Sequence, residues 1–428
     1  MARPPSRTKL RRSLGLLEIT ASGVGIIIGA GIYVLIGAAA AHAGATLWAA
    51  FLLAAVLSAL SGLSYAELSS MFPSAAAEYE YTRQAFPEWL AFVVGWVMIA
   101  GLVVAAATVS LSFANYLGYF LELGARPVAL ALLAAVCALA ASGIKQSARV
   151  IMLLSLVQVG GLVLVVAIGA PHVGEVDLLS GPGLGGVLSG AALIFFAFIG
   201  FDEVITLAEE TRNPTRTVPW ALLLALGVSS LLYIAVAVTS VSVLGSAALG
   251  ASPRPLTDVV AHALGPRSAG VVSAIALTST ANTTLLALTA ASRLLYGMAA
   301  KEVLPGWLRH VHPGTRVPVR GVLCVGAAAA AFALLGDLTL IAAVTDFAVY
   351  FVFLAINLTV ILLRWRKPTW PRPFVVPGTV GRLPVIPILA LLSVLVMICR
   401  LEGGAVWMGL GLSLVGLLLA VLPRPSRR

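Results

Sequence analysis

Long apolar runs separated by short polar segments repeat along the whole chain of 428 residues. Most of the runs have about 20 residues, the length that an α-helix needs to cross a hydrocarbon core of roughly 30 Å. The pattern predicts twelve spans, at residues 18–41, 45–70, 89–121, 127–143, 148–170, 186–209, 218–245, 268–299, 318–335, 337–363, 384–401 and 405–422. We therefore expect an all-α, polytopic membrane protein whose helices are not interrupted by a soluble domain.

Two of these spans carry glycine where a membrane helix would be expected to continue unbroken. The first span contains Gly29 and Gly31, and in the sixth span Gly200 is followed by two carboxylates, Asp202 and Glu203. Interrupted helices at corresponding places in two halves of a membrane protein are typical of a transporter's substrate site. The glycines of the first span could instead pack two helices closely, but the matching break at Gly200 favours the first interpretation.

The order of the spans predicts an internal repeat. Spans one to five (residues 18–170) and spans six to ten (residues 186–363) form two sets, and each set opens with a glycine-interrupted helix. Because five is an odd number, the two sets enter the membrane from opposite sides, so the repeat is inverted in topology. Residues 384–422 supply two accessory helices. We expect residues 1–428 to form a single membrane transport domain.

The two breaks expose peptide groups to the hydrocarbon core, which cannot form hydrogen bonds with them. Each unsatisfied N–H or C=O group in hydrocarbon costs several kcal/mol, so a break persists only where protein, water or a ligand supplies partners. A zwitterion suits this geometry, because its carboxylate favours the N-terminal end of a half-helix and its ammonium group favours carbonyl oxygens at a C-terminal end. Gly29 and Gly31 would allow unusual backbone dihedrals and close approach of such a ligand.

The distribution of basic residues predicts the orientation in the membrane. The chain has a net charge of +10, but only four of its 27 Lys and Arg residues, Arg126, Arg254, Arg267 and Arg400, fall in predicted outer loops. This asymmetry follows the positive-inside rule and places both termini in the cytoplasm of a multi-pass cell-membrane protein. The basic N-terminal segment would face anionic membrane lipid, so the charge does not indicate a nucleic-acid partner.

Residue types that carry enzyme chemistry are sparse in the apolar runs. Cys137, Cys324 and Cys399 fall inside predicted spans without metal-ligand spacing, and we expect them to be buried apolar residues. The histidines lie in loops or at span ends, and no nucleophile–base set is recognisable. The sequence predicts no enzyme, cofactor or metal site. The first span is too long for a cleaved signal peptide, which predicts a retained signal anchor.

A few polar side chains inside the spans are candidates for contact with a substrate or a coupling ion. A carboxylate at the centre of a membrane helix costs roughly 2.5–3.5 kcal/mol, so Asp202 and Glu203 should face a cavity or a partner; alternatively, they are hydrated near the inner mouth. Gln158, Asn282 and Thr283 offer oxygen atoms to a cation, although we expect most of the Ser and Thr side chains of residues 278–284 to join helices. Weaker candidates for lining a pathway are Asp346, Tyr350, Thr108 and Ser112.

An ordered set of motifs resembles the amino acid–polyamine–organocation (APC) superfamily, particularly its bacterial amino acid permeases, over spans one to eleven. The motifs are Ile28–Tyr33, Ser64–Pro73 with Glu78-Tyr79 and Gly95-Trp96, Phe195–Glu210 with Asn213-Pro214, Ser292–Tyr296 and Arg372–Pro377. The resemblance implies a fold of the leucine-transporter (LeuT) type, a 5+5 inverted repeat with discontinuous helices 1 and 6 that works by alternating access.

The resemblance also assigns roles by position around Gly29. The amides of Ala30, Gly31 and Ile32 would bind a substrate carboxylate, and the carbonyls of Ile27, Phe196 and Ile199 its ammonium group. Phe201 and Asp202 would lie at the gate, and Phe196 and Phe198 would shape the side-chain pocket. The sequence departs from the family pattern at Ala30, where Ser or Thr is common, and at Gln158, where many sodium-independent relatives have lysine.

These expectations define the predicted function. We expect a secondary active transporter, a symporter or antiporter, for an amino acid or a related amine in the inner membrane of a bacterium or archaeon. Because Gln158 lacks an ammonium group, sodium or solute exchange is favoured over proton coupling. The alternative is a non-transporting receptor or partner subunit that keeps the same scaffold.

Overall fold

Helices make up almost all of the fold. The computed structural model describes residues 15–72, 77–143, 148–201, 204, 211–335, 337–381 and 383–421. The α-helices are α1 (Leu16–Ile28), α2 (Gly31–Ala43), α3 (Leu47–Met71), α4 (Ala77–Ala85), α5 (Glu88–Leu117), α6 (Ala125–Ala141), α7 (Ala148–Gly169), α8 (Leu184–Ile194), α9 (Pro214–Leu244), α10 (Ser246–Ala251), α11 (Pro255–Leu264), α12 (Ala269–Ala300), α13 (Val319–Leu335), α14 (Leu338–Arg366), α15 (Val385–Ile398) and α16 (Gly403–Val421). Two short strands, β1 (Thr379–Val380) and β2 (Leu383–Pro384), pair antiparallel between α14 and α15.

The helices lie at the predicted spans. In the described part of the chain, seven helical stretches are long and apolar enough to cross a membrane: Gly31–Met71, Glu88–Leu117, Leu153–His172, Pro214–Leu244, Pro266–Ala300, Leu338–Arg366 and Gly403–Val421. Shorter apolar helices occupy the other predicted positions, at Leu16–Ile28, Ala125–Ala141, Leu184–Phe198, Val319–Leu335 and Val385–Ile398. The chain is therefore a multi-pass helical membrane protein. The basic N-terminal segment before residue 15 lies outside the described residues.

Helices α5 and α14 lie at the centre of the bundle. In their most apolar stretches 83% and 72% of the residues are buried, against 17% in α16. Membrane helices associate mainly through close packing, which small residues permit. A Cβ atom added at Gly101 in α5 would lie only 2.9 Å from the Cβ atom of Ala348 in α14. Helix α14 also contacts α8 and the turn that follows α8, which belong to the interrupted span described below.

The connections contain three short helices, α4, α10 and α11, that the hydropathy pattern does not predict. They have 9, 6 and 10 residues, too short for a recognisable apolar run. Helix α11 begins with Pro255 at its first position, where the missing N–H group has no helical partner in any case. The structure also ends α5 at Leu117, four residues before the predicted boundary at residue 121.

The expectation that all three cysteines are buried is wrong. Cys324 and Cys399 are exposed and Cys137 is partly buried. The physical reason is that the outside of a membrane protein is itself apolar. A small apolar side chain therefore gains as little from an internal position as from the lipid-facing surface.

A buried carboxylate in α3 fixes the connection between α14 and α15. The Glu67 side chain is 2% exposed and forms an ion pair with Arg364 of α14, whose Nε donates to Oε1 over 3.2 Å. Arg372 Nε lies 3.4 Å from the same oxygen, and the Val376 amide donates to Oε2 over 2.8 Å. Two cations and an amide thus compensate for the burial of this charge.

Candidate functional site

The first predicted span is built as two helices. Helix α1 ends at Ile28 and α2 begins at Gly31, with Gly29 at φ +29° between them. A residue with a side chain rarely adopts that dihedral, so the glycine permits the break. The first helical bond of α2 is from the Val34 amide to the Ala30 carbonyl, at 3.0 Å. The amides of Gly31, Ile32 and Tyr33 come before this bond, so no carbonyl of a preceding helical turn accepts from them.

The sixth predicted span changes conformation at the corresponding place. Helix α8 passes into a 3₁₀ turn over Phe195–Phe198, and Ile199 is extended. Gly200 follows with φ +108°. The Ile199 amide donates to the Phe196 carbonyl over 3.2 Å, which closes the turn. Asp202 and Glu203, the carboxylates predicted for this site, lie outside the described residues.

The two interrupted segments contact each other directly. A Cβ atom added at Gly31 would overlap the Cα atom of Ala197 and lie 3.2 Å from its amide nitrogen. A Cβ atom added at Gly200 would lie 3.3 Å from Cγ2 of Ile26. The missing side chain of Gly31 therefore makes room for the backbone of Ala197, and the approach of a ligand to the Gly31 amide stays a prediction.

The packing alternative for the glycines of the first span is partly correct. A Cβ atom at Gly25 would overlap the side chain of Ser155 in α7, so Gly25 lets α1 and α7 pack closely. Gly29 instead has the positive dihedral of the break and lies near Thr283, whose Oγ1 would be 3.3 Å from an added Cβ. The two glycines thus have different roles.

A hydroxyl group that the sequence analysis did not identify lies between the two breaks. The Tyr233 hydroxyl, from α9, is 2.8 Å from the Ile27 carbonyl, 3.2 Å from the Ile28 carbonyl and 2.9 Å from the Ala197 carbonyl. A phenol has one proton to donate. Three carbonyl oxygens therefore converge on one donor. The signal available in the sequence was a tyrosine within an apolar span, which needs a polar partner when buried.

Helix α12 supplies a second donor to the first break. The Ser279 hydroxyl donates to the Gly29 carbonyl over 2.7 Å. The described hydroxyls of Thr278, Thr280 and Thr284 instead donate to carbonyls of their own helix. The expectation that this run mainly joins helices is therefore wrong for those three threonines, because a hydroxyl can bond the carbonyl four residues earlier.

The predicted ion-contacting residues lie near the first break. Asn282 Oδ1 is buried without a hydrogen-bond partner among the described residues, and so is Gln158 Nε2. The Gln158 carbonyl accepts from the Tyr33 hydroxyl over 3.0 Å, which places this residue against α2. Thr283 lies beside Gly29, as described above.

An aromatic cluster packs against the turn of the second break. The Phe198 ring lies 5.2 Å from the Tyr233 ring, and the Phe201 ring lies 5.7 Å from that of Tyr65 and 5.3 Å from that of Phe353. Of the predicted binding residues, Ile27, Ala30, Gly31, Ile32, Phe196, Phe198 and Phe201 are buried, and Gly29 and Ile199 are partly exposed. The described members of the predicted site therefore lie at the two breaks, and most of them are buried.

The weaker pathway candidates divide into two kinds. The Thr108 hydroxyl donates to the Val104 carbonyl of its own helix, and Ser112 is buried in the same helix α5. Tyr350 donates to the Ala192 carbonyl over 3.0 Å, and its ring packs against Phe195 at 4.7 Å. Tyr350 therefore contacts the turn of the second break, whereas the Thr108 hydroxyl is satisfied within α5.

Comparison with known proteins identifies the family. A model described as Amino acid permease matches residues 14–413. The chain is 33% identical to the branched-chain amino acid permease BcaP of Bacillus subtilis over 92% of this chain and 88% of the relative. It is 30% identical to the methylthioribose transporter of the same organism, over 89% of this chain and 86% of that protein.

A eukaryotic relative has a longer chain. The vacuolar cationic amino acid transporter 4 of Arabidopsis thaliana is 31% identical over 84% of this chain and 64% of its own length. The resemblance inferred from the motifs is thus confirmed over nearly the whole sequence. The protein belongs to the amino acid permease family of the APC superfamily and is a membrane transporter, not an enzyme.

Proposed function

We propose that this permease is a secondary active transporter that moves an amino acid or a related amine by alternating access. The observation that carries the proposal is the pair of helix breaks at Gly29 and Gly200, whose segments touch each other and place peptide groups outside regular helix inside an apolar bundle. Backbone groups in this position can bind the charged ends common to all amino acids.

The proposed scaffold is the LeuT-type arrangement of twelve membrane helices. In it, residues 18–170 and 186–363 form the two inverted repeats of a single transport domain, and residues 384–422 form the accessory helices. Support comes from the order of the described helices and from the two breaks, each in the opening helix of its repeat. The arginines at the end of α14, Arg364 and Arg366, favour an inner position for that end and hence cytoplasmic termini.

The substrate carboxylate is proposed to bind at the start of α2. The amides of Ala30, Gly31 and Ile32 lie there, and the helix dipole adds a partial positive charge. Ala30 has no hydroxyl group, so recognition would depend on backbone donors alone. This makes the carboxylate site insensitive to the substrate's side chain.

The substrate ammonium group is proposed to bind the carbonyls of Ile27, Phe196 and Ile199. Two of these already have a partner, since Ile27 accepts from Tyr233 and Phe196 accepts from the Ile199 amide. Each carbonyl oxygen keeps a second lone pair for an ammonium proton. Admission of a ligand requires the Gly31–Ala197 contact to open, and we propose that this contact separates and closes during the transport cycle.

The proposed side-chain pocket is apolar. Phe196 and Phe198 lie at the turn of the second break and would contact the substrate side chain, with Phe201 and Asp202 at the gate. A neutral, apolar amino acid fits such walls best. The similarity to a branched-chain amino acid permease supports the same class. Asp202 would favour a cationic amino acid instead, and cationic amino acid transporters are among the relatives.

Gln158, Asn282 and Thr283 are proposed to form the polar side of the site. A coupling cation there would contact the buried Asn282 oxygen, which has no partner among the described residues. A sodium requirement for uptake would assign the coupling ion to these three residues, whereas uptake without sodium would leave them a role in helix contacts alone. The non-transporting alternative gains no support, because the relatives quoted above are named as permeases or transporters.

Uptake by purified protein in lipid vesicles tests the proposed function. A thermal-shift screen of twenty amino acids and common polyamines, with and without sodium, first selects the compound to be tested. We expect the vesicles to accumulate a branched-chain amino acid. Ligand binding stabilises a folded protein by mass action, so the substrate should raise the unfolding temperature. Empty vesicles are the control. A protein that binds none of these compounds and moves none of them would contradict the proposal.

Replacement of Gly31 by Ala is expected to impair transport. The added methyl group would overlap the Ala197 backbone, and such overpacking costs about 1–3 kcal/mol, or roughly five- to hundredfold in binding. Gly227→Ala in α9 is the matched control, because no atom lies within 4 Å of its added Cβ. The measurements are substrate affinity and initial uptake rate. Equal rates for the two variants would show that the Gly31–Ala197 contact has no role in transport.

Replacement of Tyr233 by Phe is expected to destabilise the ligand-free protein by about 1–3 kcal/mol, because carbonyls at both breaks lose their donor. A substrate ammonium group would supply the missing donor. The substrate-induced rise in unfolding temperature should therefore be larger in this variant than in the wild type. The control is Tyr116→Phe, which removes a bond to the Tyr33 carbonyl away from the break. An unchanged substrate-induced rise would place the ammonium group elsewhere.

A further inference from the structure

A second buried carboxylate lies in α14, and nothing in the proposed substrate site uses it. Asp346 is 0% exposed, and neither of its carboxylate oxygens has a hydrogen-bond partner in the described part of the chain. All residues from Ile341 to Tyr350 are buried, so protein surrounds this part of the helix. The contrast with Glu67 is complete, because Glu67 contacts two arginines and an amide.

In the described part of the chain, no cation forms an ion pair or hydrogen bond with Asp346. Helices α8, α15 and α16, which pack against α14, contain no Asp, Glu, Lys, Arg or His, and the 3₁₀ turn Phe195–Phe198 contains none. In α5 the titratable residues are Glu88 and Tyr116, at the two ends of the helix. On its own helix, Tyr350 lies one turn away.

The remaining titratable groups near α14 lie towards its other end. They are Tyr65 and Glu67 of α3, and Glu78, Tyr79, Glu80, Tyr81 and Arg83 of α4. Glu67 pairs with Arg364, which is 18 residues from Asp346, or about 27 Å along the helix axis. The Tyr65 ring packs on Phe353, seven residues further along α14. These groups are too distant to balance a charge at Asp346.

A small cavity lies beside the N-terminal part of α14; it reaches Ala343, one turn before Asp346, and Asp346 itself does not line it. It has a volume of about 50 Å³ and is lined by residues that include His42, Thr339, Ala343, Arg400 and Glu402. Thr339, Ala343, Asp346 and Tyr350 are spaced by four, three and four residues, so they share one face of the helix. The side chain of a helical residue leans towards the N-terminus, here towards the cavity.

The burial of Asp346 determines its charge in this conformation. An ionised carboxylate without donors in an apolar interior is far more costly than a neutral carboxyl group. Asp346 therefore holds a proton while it is enclosed. Water that reaches it through the cavity would make ionisation favourable again. Its charge is thus tied to the opening and closing of the helices around it.

Asp346 is also connected to the proposed substrate site. Tyr350, one turn further along α14, donates to the Ala192 carbonyl in α8 and packs on Phe195. Phe195 is the first residue of the 3₁₀ turn that leads into the break at Ile199 and Gly200. Tyr350 and Phe195 thus link Asp346 to the peptide groups that would bind the substrate.

We propose that Asp346 is a proton-binding carboxyl group that couples proton movement to the transport described under the proposed function, on which this inference rests. In the outward-open state a proton from external water binds one carboxylate oxygen of Asp346, and the neutral group allows the helices to close. In the inward-open state that O–H bond breaks and the proton passes to internal water. The cycle consumes no other reactant.

The test uses the full chain in lipid vesicles with sodium-free buffers on both sides and a pH one unit lower outside. One unit corresponds to about 1.4 kcal/mol per proton, which allows up to about tenfold accumulation of substrate. The probe is the amino acid identified by the uptake screen. Asp346→Asn should lose this accumulation but retain exchange of labelled for unlabelled substrate at equal pH. Asp337→Asn, at the exposed N-terminal cap of α14, should retain both.

Several results would overturn the proposal. They are accumulation by Asp346→Asn equal to that of the wild type, loss of exchange together with accumulation in a variant that still folds, or accumulation by the wild type that requires sodium. If Asp346→Asn does not fold, a pH-sensitive dye inside wild-type vesicles must report acidification when substrate enters, and its absence also overturns the proposal. A wild-type protein that neither exchanges nor accumulates any amino acid contradicts the proposed function itself.

Discussion

The peptide group is the constraint on which the structure depends. Inside a membrane each N–H and C=O group needs a partner, and a helix supplies these partners except where it is interrupted. The break at Gly29 is maintained by donors from other helices, the Tyr233 hydroxyl of α9 and the Ser279 hydroxyl of α12. Glycine makes the break conformationally accessible, and these hydroxyls make it tolerable in an apolar bundle. Carbonyls at both breaks share the Tyr233 donor, so the two segments are held together at one point.

The two buried carboxylates, Glu67 and Asp346, have different environments and therefore different roles in the bundle. Glu67 is surrounded by Arg364, Arg372 and an amide, and this set joins α3, α14 and the connection that follows α14. A buried charge with these partners is stable in this one arrangement, and separating it from them would be strongly unfavourable. Asp346 has no donor among the described residues and tolerates burial only as a neutral group. The first carboxylate therefore stabilises the scaffold, whereas the second responds to opening of the helices.

Much of the fold was predictable because hydrocarbon thickness dictates long apolar runs, and glycine within such runs indicates a break. Other features involve contacts between distant parts of the sequence. Glu67 and Arg364 are 297 residues apart, so the motif that contains Glu67 was visible but its pairing with Arg364 was not. Tyr233 was missed because a tyrosine in an apolar span gives no sign of which carbonyls it will reach. The contact between Gly31 and Ala197 was not predictable because it joins two distant parts of the sequence. Short helices such as α10 leave no hydropathy signal.

The central claim is that peptide groups of the two interrupted helices bind both charged ends of an amino acid. Calorimetric titration of the purified protein with leucine, leucinamide and 4-methylpentanoate tests it most directly. Leucinamide lacks the carboxylate and 4-methylpentanoate lacks the ammonium group, while both keep the leucine side chain. The account predicts binding of leucine and loss of binding, by at least about a hundredfold, for both analogues. Equal affinity of either analogue and leucine would contradict it.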